Sequence, residues 1–257
     1  MRLRSCLLAV AVTAALLACA AGSAIGAPMI LNEYNAVKSA SILKNGGSDT
    51  YFGVVAGNGG DWMEFVVIQD SLDIRGWYFT TIQDGQTDAT IVLPSLDAFA
   101  SLKKGTILTI AEDVATDLSY GPIRDPHDQN AGDWWINYRA SFSAGDNTHK
   151  NFQVSIYDAA DNLVFGPAGE GVSPASGIGS DEVFKLETAP SASVTPDSAF
   201  YRAGTSSTFG SPNIYNAGTT VQDFSALRCV VPEPASILAL ACGVGSLAWS
   251  RRRKTAR

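Results

Sequence analysis

The sequence has little of what disulfide-bonded folds and many catalytic sites are built from. Its 257 residues include only four cysteines and two histidines. Cys6 and Cys19 lie near the N-terminus and Cys242 lies near the C-terminus, so Cys229 is the one cysteine of the central region. A single thiol cannot form an internal disulfide. The body of about 200 residues must therefore be stabilised by its hydrophobic core, for which it is long enough.

Common catalytic motifs are also missing. The chain has no Gly-x-Ser-x-Gly nucleophile turn, no glycine-rich phosphate loop ending in lysine, and no His-Glu-x-x-His zinc motif. His127 and His149 are too far apart in sequence to show the spacing of zinc ligands, and we expect both in exposed loops. The sequence therefore predicts a non-catalytic protein.

Basic residues are scarce between the two ends. Residues 28–230 hold 11 Lys and Arg against 24 Asp and Glu, which gives this body a net charge of about −13. Such a surface repels phosphate backbones, so the sequence predicts no binding of nucleic acid through basic patches. The same charge is compatible with a soluble protein that binds cations.

The N-terminal segment has the pattern of a secretory signal peptide. Residues 1–27 begin with two arginines, continue in an uncharged apolar run over 6–21, and end in small residues. Cleavage after Ala24 or Ala27 would fit the preference for small residues. Two alternatives stay open: an uncleaved membrane helix, for which the run is short, and a lipoprotein whose mature chain begins at Cys19.

The body has the pattern of β structure, with short segments rich in aromatic and β-branched residues separated by turn signals. Strands are predicted at 29–34, 62–68, 74–81, 89–93, 106–111, 152–157, 163–165, 183–186 and 200–202, with a further short one at 51–55. Asp161-Asn162 predicts a hairpin turn. Helical pattern is confined to one or two turns over 96–102, with Ser95 as the expected cap. Many short strands with frequent turns favour a sandwich or barrel.

Residues 112–150 form the least regular segment and carry one candidate cation site. Asp125, Asp128 and Asp133 lie close together in sequence and offer the hard oxygen ligands that calcium prefers. The spacing is not that of an EF-hand loop. The alternative is that these aspartates cap turns, which is the commoner role of aspartate in loops.

The same segment holds a cluster of aromatic residues. Trp134 and Trp135, near Tyr138, have side chains of the type that stacks on sugar rings. Adjacent residues of a strand point to opposite faces, so at least one of the two tryptophans is expected in the core. We predict that part of this segment adds a strand to the sandwich.

Four short motifs in the body resemble those of a lamin tail domain. They are Ile30-Leu31-Asn32-Glu33, Asp61-Trp62-Met63-Glu64-Phe65, Asp73-Ile74-Arg75-Gly76-Trp77 and Ser207-Thr208-Phe209-Gly210-Ser211-Pro212-Asn213. The resemblance implies an immunoglobulin-like β-sandwich over 28–216, with 112–150 as an insertion and 217–230 as a linker. We expect Glu64 to be structural, either on the solvent face or hydrogen-bonded near the strand of Asn32.

The C-terminal segment, 231–257, resembles a PEP-CTERM sorting signal. It has the triplet Pro232, Glu233, Pro234, then an apolar run over 235–249, then the basic cluster Arg251, Arg252, Arg253, Lys254. The prolines keep the triplet extended. As a helix the apolar run would be about 22 Å long, less than the roughly 30 Å of a bilayer core. The basic cluster is expected to stay cytoplasmic and halt export.

That resemblance implies an exosortase as processing partner, cleavage near the triplet, and a Gram-negative host. The expected architecture is an all-β, immunoglobulin-like sandwich between a signal helix and a short C-terminal transmembrane helix. The expected function is that of an exported, non-catalytic protein. It would pass through the inner membrane to the cell surface or matrix and bind exopolysaccharide or another surface protein. No cofactor is expected except calcium.

Two alternatives differ in the chemistry of the body. The first is a secreted polysaccharide hydrolase with Asp125 and Asp133 as its carboxylate pair, which would require the two carboxyls to face each other across a cleft at roughly 5–10 Å. The second is an adhesion module stabilised by calcium at Asp125, Asp128 and Asp133.

Overall fold

A computed structural model describes residues 26–142, 152–172 and 177–229. Apart from positions 26 and 27, the predicted signal peptide and the predicted sorting signal lie outside these ranges. The predicted signal helix and the predicted C-terminal transmembrane helix are therefore outside the described residues. Within the ranges described, no helix is long and apolar enough to span a membrane.

The regular secondary structure of the described chain is almost entirely β. In chain order the strands are β1 Met29–Asn35, β2 Trp62–Val67, β3 Tyr78–Gln83, β4 Gln86–Val92, β5 Ile107–Ala111, β6 Gly121–Pro122, β7 Gly132–Asp133, β8 Trp135–Arg139, β9 Gln153–Tyr157, β10 Leu163–Gly169, β11 Val183–Leu186, β12 Tyr201–Gly204, β13 Ile214–Tyr215 and β14 Thr220–Val221. Three 3₁₀ turns, Lys44–Gly46, Ala56–Gly59 and Asp97–Phe99, and one short helix, α1, Ser225–Arg228, complete the secondary structure of these ranges.

Two sheets carry the fold. The larger has six strands in the order β12-β11-β1-β2-β5-β8, and the smaller has four in the order β10-β9-β3-β4. Neighbouring strands are antiparallel except β5 and β8, which run parallel. The pairs β6-β7 and β13-β14 form separate two-stranded ribbons. The all-β class predicted from the sequence is confirmed.

The hydrophobic core lies between these two sheets. Phe65 of β2 contacts Phe79 of β3, with 4.5 Å between their ring centroids. Tyr34 of β1 packs edge-on against Phe152 at 4.9 Å, and its hydroxyl donates to the Phe152 carbonyl at 3.1 Å. Every residue of β1 and β2 is buried, so the outer face of these central strands is also covered. That outer cover positions the polar network described below.

Two local predictions are confirmed and two are wrong. The 112–150 segment does add a strand, β8, and the Asp161-Asn162 turn does close the β9-β10 hairpin. Residues 51–55 form no strand, because the Asp49 carboxylate accepts the N–H groups of residues 51 and 52 and bends the chain into a turn. The turn at Asp97–Phe99 begins after Leu96 without a side-chain cap, so Ser95 does not cap it.

The predicted linker at 217–230 is wrong over the part that is described. Gln222, Phe224 and Leu227 are buried, and the two apolar residues belong to the main core. The N–H of Phe224 donates to the side-chain carbonyl of Gln129 at 2.6 Å. The segment is short of apolar residues, but Phe224 and Leu227 point inward. Residues 217–229 are therefore part of the folded body.

Candidate functional site

Three of the four lamin-tail-like motifs meet on the covered face of the large sheet. The register of β1 against β2 shifts between Leu31 and Glu33, so Asn32 is the extra residue of a β-bulge. Its side-chain amide donates to Glu64 Oε1 at 2.7 Å. The other Glu64 oxygen accepts the N–H of Gly210 at 2.7 Å. Glu64 thus joins two strands and the 207–213 loop, which is the structural role predicted for it.

Asn213 completes this network from the loop. Its side-chain amide donates to the carbonyls of Asn32 at 3.1 Å and Leu186 at 3.0 Å, and its side-chain oxygen accepts the Thr208 hydroxyl at 3.0 Å. A bulge leaves a backbone carbonyl without its partner in the strand ladder, and a buried carbonyl needs one. Gln222, from the segment predicted to be a linker, adds a hydrogen bond to the Asn32 side chain at 2.9 Å.

Charged groups lie buried beside the network. Glu33 pairs in register with Glu64 on one side and Lys185 on the other. The Thr208 hydroxyl donates to Glu33 Oε2 at 2.8 Å. Among the described residues nothing donates to the buried Glu33 Oε1. The ammonium group of Lys185 donates to the backbone carbonyl of Ser206 at 2.8 Å. Among the described residues it does not form a salt bridge with the carboxylate of Glu33 or Glu64.

Burial governs the protonation of both glutamates. It raises the pKa of Glu33 to about 7, against the opposing attraction of Lys185. It also raises the pKa of Glu64 well above its ordinary value, and the neighbouring Glu33 raises it further. Both side chains are fully buried. Their contacts in the folded chain are therefore with the strands and the 207–213 loop rather than with solvent.

An open cleft lies next to this network. It has a volume of about 280 Å³, near the lower limit of about 300 Å³ for small-molecule sites. Its lining residues come from the 112–150 segment, the 207–213 loop and α1; they are Asn130, Gly132, Asp133, Trp134, Trp135, Gly210, Ser211, Pro212 and Arg228. Gly210 has φ +73°, and a Cβ there would come within 2.8 Å of the Trp135 ring, so only glycine allows this approach.

The two tryptophans of the cleft are held by hydrogen bonds. Trp134 is buried, and its indole N–H donates to the Ala131 carbonyl at 2.7 Å. Trp135 is half-buried and donates to the Thr109 hydroxyl at 2.8 Å. The expectation that at least one tryptophan lies in the core is confirmed. Tyr138 packs edge-on against Phe99 inside the sandwich and is not part of the cleft wall.

Arg228 brings a buried positive charge to the cleft. Its side chain is almost completely buried. The guanidinium lies over Trp134, 5.2 Å from the ring centroid, and its Nε donates to the Gly105 carbonyl at 2.9 Å. Burial lowers the pKa of Arg228 to about 10, still well above neutrality. Neither this residue nor the 210–212 part of the wall was singled out for binding from sequence, because contacts across about 100 residues leave no local pattern.

The predicted calcium ligands are each engaged in a local turn. Asp125, Asp128 and Asp133 each accept the backbone N–H two residues ahead, at 2.8, 2.8 and 3.1 Å. In the ranges described, no group of three or more His, Cys, Asp or Glu side chains is arranged to hold a metal ion. Only Asp133 lines the cleft. The acidic residues of the described cleft wall therefore do not supply the facing pair that a glycosidase would need.

The capping role makes a prediction about divalent cations. The melting temperature of the protein is expected to be the same in excess calcium as in excess chelator, because each carboxylate already stabilises its own turn. Differential scanning calorimetry of the two samples is the measurement. A rise of several degrees with calcium would instead establish the adhesion-module alternative.

Comparison with protein-family models, with curated proteins and with solved structures finds no match for this chain.

Proposed function

We propose that this chain is an exported, non-catalytic surface protein whose C-terminal segment is a sorting signal read by an exosortase. The observation that carries the proposal is the order of features in 231–257: Pro232-Glu233-Pro234, an uncharged apolar run, and four consecutive basic residues. A plain membrane anchor would account for the run and the charges but not for the triplet. The signal-peptide pattern over 1–27 supplies the export that this route requires.

The body is the delivered module in this proposal. It is an all-β fold without a disulfide among the described residues, and its acidic surface keeps it soluble outside the cell. Three of the motifs that resemble a lamin tail domain share one hydrogen-bonded network. That interdependence supports an immunoglobulin-like, lamin-tail-like identity. The role that follows is attachment to exopolysaccharide or to another surface protein.

Changing the triplet tests the proposal. The full chain carrying Pro232→Ala, Glu233→Ala and Pro234→Ala together is expected to accumulate in the inner membrane of an exosortase-containing host. The unaltered chain should appear on the cell surface or in the medium. The physical reason is that three alanines let the apolar helix extend back through the recognition site. Cell fractionation and blotting against the body measure the distribution.

Pro126→Ala, in an exposed loop of the body, is the matched control and should leave release unchanged. A host lacking its exosortase should retain both the unaltered chain and the control in the membrane. Release that persists after the triple substitution, or in that deleted host, would refute sorting by this signal.

A further inference from the structure

The buried charge of Arg228 has no acidic partner in the described chain. The salt bridges there join Lys44 to Glu182, Arg75 to Asp73, and Arg124 to Asp70. A buried charge is normally paired, because desolvation without compensation costs several kcal/mol. Glu64 is near enough to act on Arg228 electrostatically, but it forms no salt bridge with it and its own pKa is raised.

The hydrogen bonds of this guanidinium leave donors for another group. Within the described residues it donates from Nε to the Gly105 carbonyl and from Nη1 to the Gln129 carbonyl, the second at a long 3.4 Å. A guanidinium has five N–H donors. Arg228 also lines the open cleft. An unpaired, fixed cation with spare donors at a cleft is a site for an anion, since two parallel N–H groups match a carboxylate.

The other residues of the cleft wall indicate which kind of molecule would bear the anionic group. Trp135 and Pro212 supply apolar surface, while Asn130, Ser211 and Asp133 supply polar groups. Aromatic surface beside hydrogen-bonding groups suits a ring with an apolar face and several hydroxyls, which is the character of a pyranose. Asp133 and the net charge of about −13 in 28–230 repel a doubly charged phosphate more strongly than a single carboxylate.

We infer that the cleft between the 130–135 loop, the 210–212 loop and Arg228 binds an acidic sugar, with its carboxylate on Arg228 and its ring against Trp135. This deepens the binding role given to the module and rests on that proposed role, but it does not depend on how the chain is sorted. The cleft volume of about 280 Å³ suits one sugar residue of a longer chain.

Titration of the full chain, purified in mild detergent, with a galacturonic acid trimer tests the inference. Saturable binding by calorimetry is expected, and the methyl-esterified neutral trimer should bind about tenfold or more weakly, because a hydrogen bond to a charged group is lost. Sodium acetate at matched ionic strength controls for simple anion binding. Absence of saturable binding by the acidic trimer, or equal binding by its neutral ester, would overturn the inference.

Two substitutions that should change the affinity for the acidic trimer in opposite directions locate the site. Arg228→Gln should weaken binding of the acidic trimer about tenfold or more. Asp133→Asn, which keeps an oxygen for the turn cap, should tighten it about threefold by removing a like charge. Arg202→Gln, at an exposed position of β12, is the control and should leave the affinity for the acidic trimer unchanged.

Should Arg228→Gln fail to fold, the Asp133→Asn result decides alone. Tighter binding supports an anionic ligand in this cleft, and unchanged or weaker binding refutes it. The sorting experiment measures where the protein is located in the cell and not its affinity for a sugar. A failure of acidic-sugar binding is therefore distinguishable from a failure of the proposed export route.

Discussion

Asn213→Ala is expected to lower the free energy of unfolding by about 3 kcal/mol, and by more if the loop detaches. The side chain that is removed satisfies the buried carbonyls of Asn32 and Leu186 and accepts from Thr208. Alanine leaves these groups buried without that partner, and each such loss costs about 1–3 kcal/mol. Gln222 also reaches the Leu186 carbonyl, at 3.3 Å, and so limits the loss.

Urea denaturation followed by tryptophan fluorescence measures this effect. The matched control is Asn130→Ala, an exposed asparagine of the cleft rim, which should change stability by no more than about 0.5 kcal/mol. If Asn213→Ala costs no more than the control, the network does not hold the loop to the sheet, and the structural account of the motifs fails.

The second large effect is a loss of stability as pH rises through neutrality. The pKa of Glu33 is raised from 4.5 to about 7 in the folded state, so the folded state binds a proton that the unfolded state releases. This stabilisation is complete below about pH 4.5 and is lost as pH rises through 7. Between about pH 5 and about pH 8 the expected loss is about 2–3 kcal/mol.

The groups that face Glu33 fix the sign of this effect. The positive charge of Lys185 lowers the pKa of Glu33, while Asp49 and Glu64 are acidic neighbours. The raised pKa of Glu64 acts in the same direction as that of Glu33. Burial outweighs the attraction of Lys185 because neither carboxylate forms a salt bridge with Lys185 among the described residues.

Urea denaturation across this pH range is the measurement. The substitution Glu33→Gln should make the free energy of unfolding depend less on pH. The control Glu182→Gln changes a carboxylate in a surface ion pair with Lys44 and should leave the slope as it is. Stability that is constant or rises from about pH 5 to about pH 8 in the unaltered protein would contradict the raised pKa of Glu33.

The sequence predicted the strands well where composition and burial agree. Trp62–Val67 is aromatic and β-branched and forms a fully buried central strand. The turn at Asp161-Asn162 was readable because its residue types favour the backbone it adopts, with Asp161 at φ 64°. The error at 51–55 has a local physical cause: the segment is apolar and β-favouring, but the Asp49 carboxylate accepts the N–H groups of residues 51 and 52 and bends the chain into a turn.

The site was only partly predictable. The motif resemblance marked Asn32, Glu64 and the loop ending at Asn213, but not Gln222, which reaches the network from a segment with linker-like composition. The contribution of Arg228 depends on contacts with Gly105 and Trp134, separated from it by about 100 residues. Such contacts are set by tertiary packing and leave no periodic pattern in the sequence.

Intact mass spectrometry of the protein recovered from the cells that produce it tests the central claim most directly. The account predicts a chain on the cell surface or in the medium that starts after Ala24 or Ala27 and ends near Pro232-Glu233-Pro234. A cytosolic chain with the mass of all 257 residues would contradict it, because neither terminal segment would then serve as an export or sorting signal.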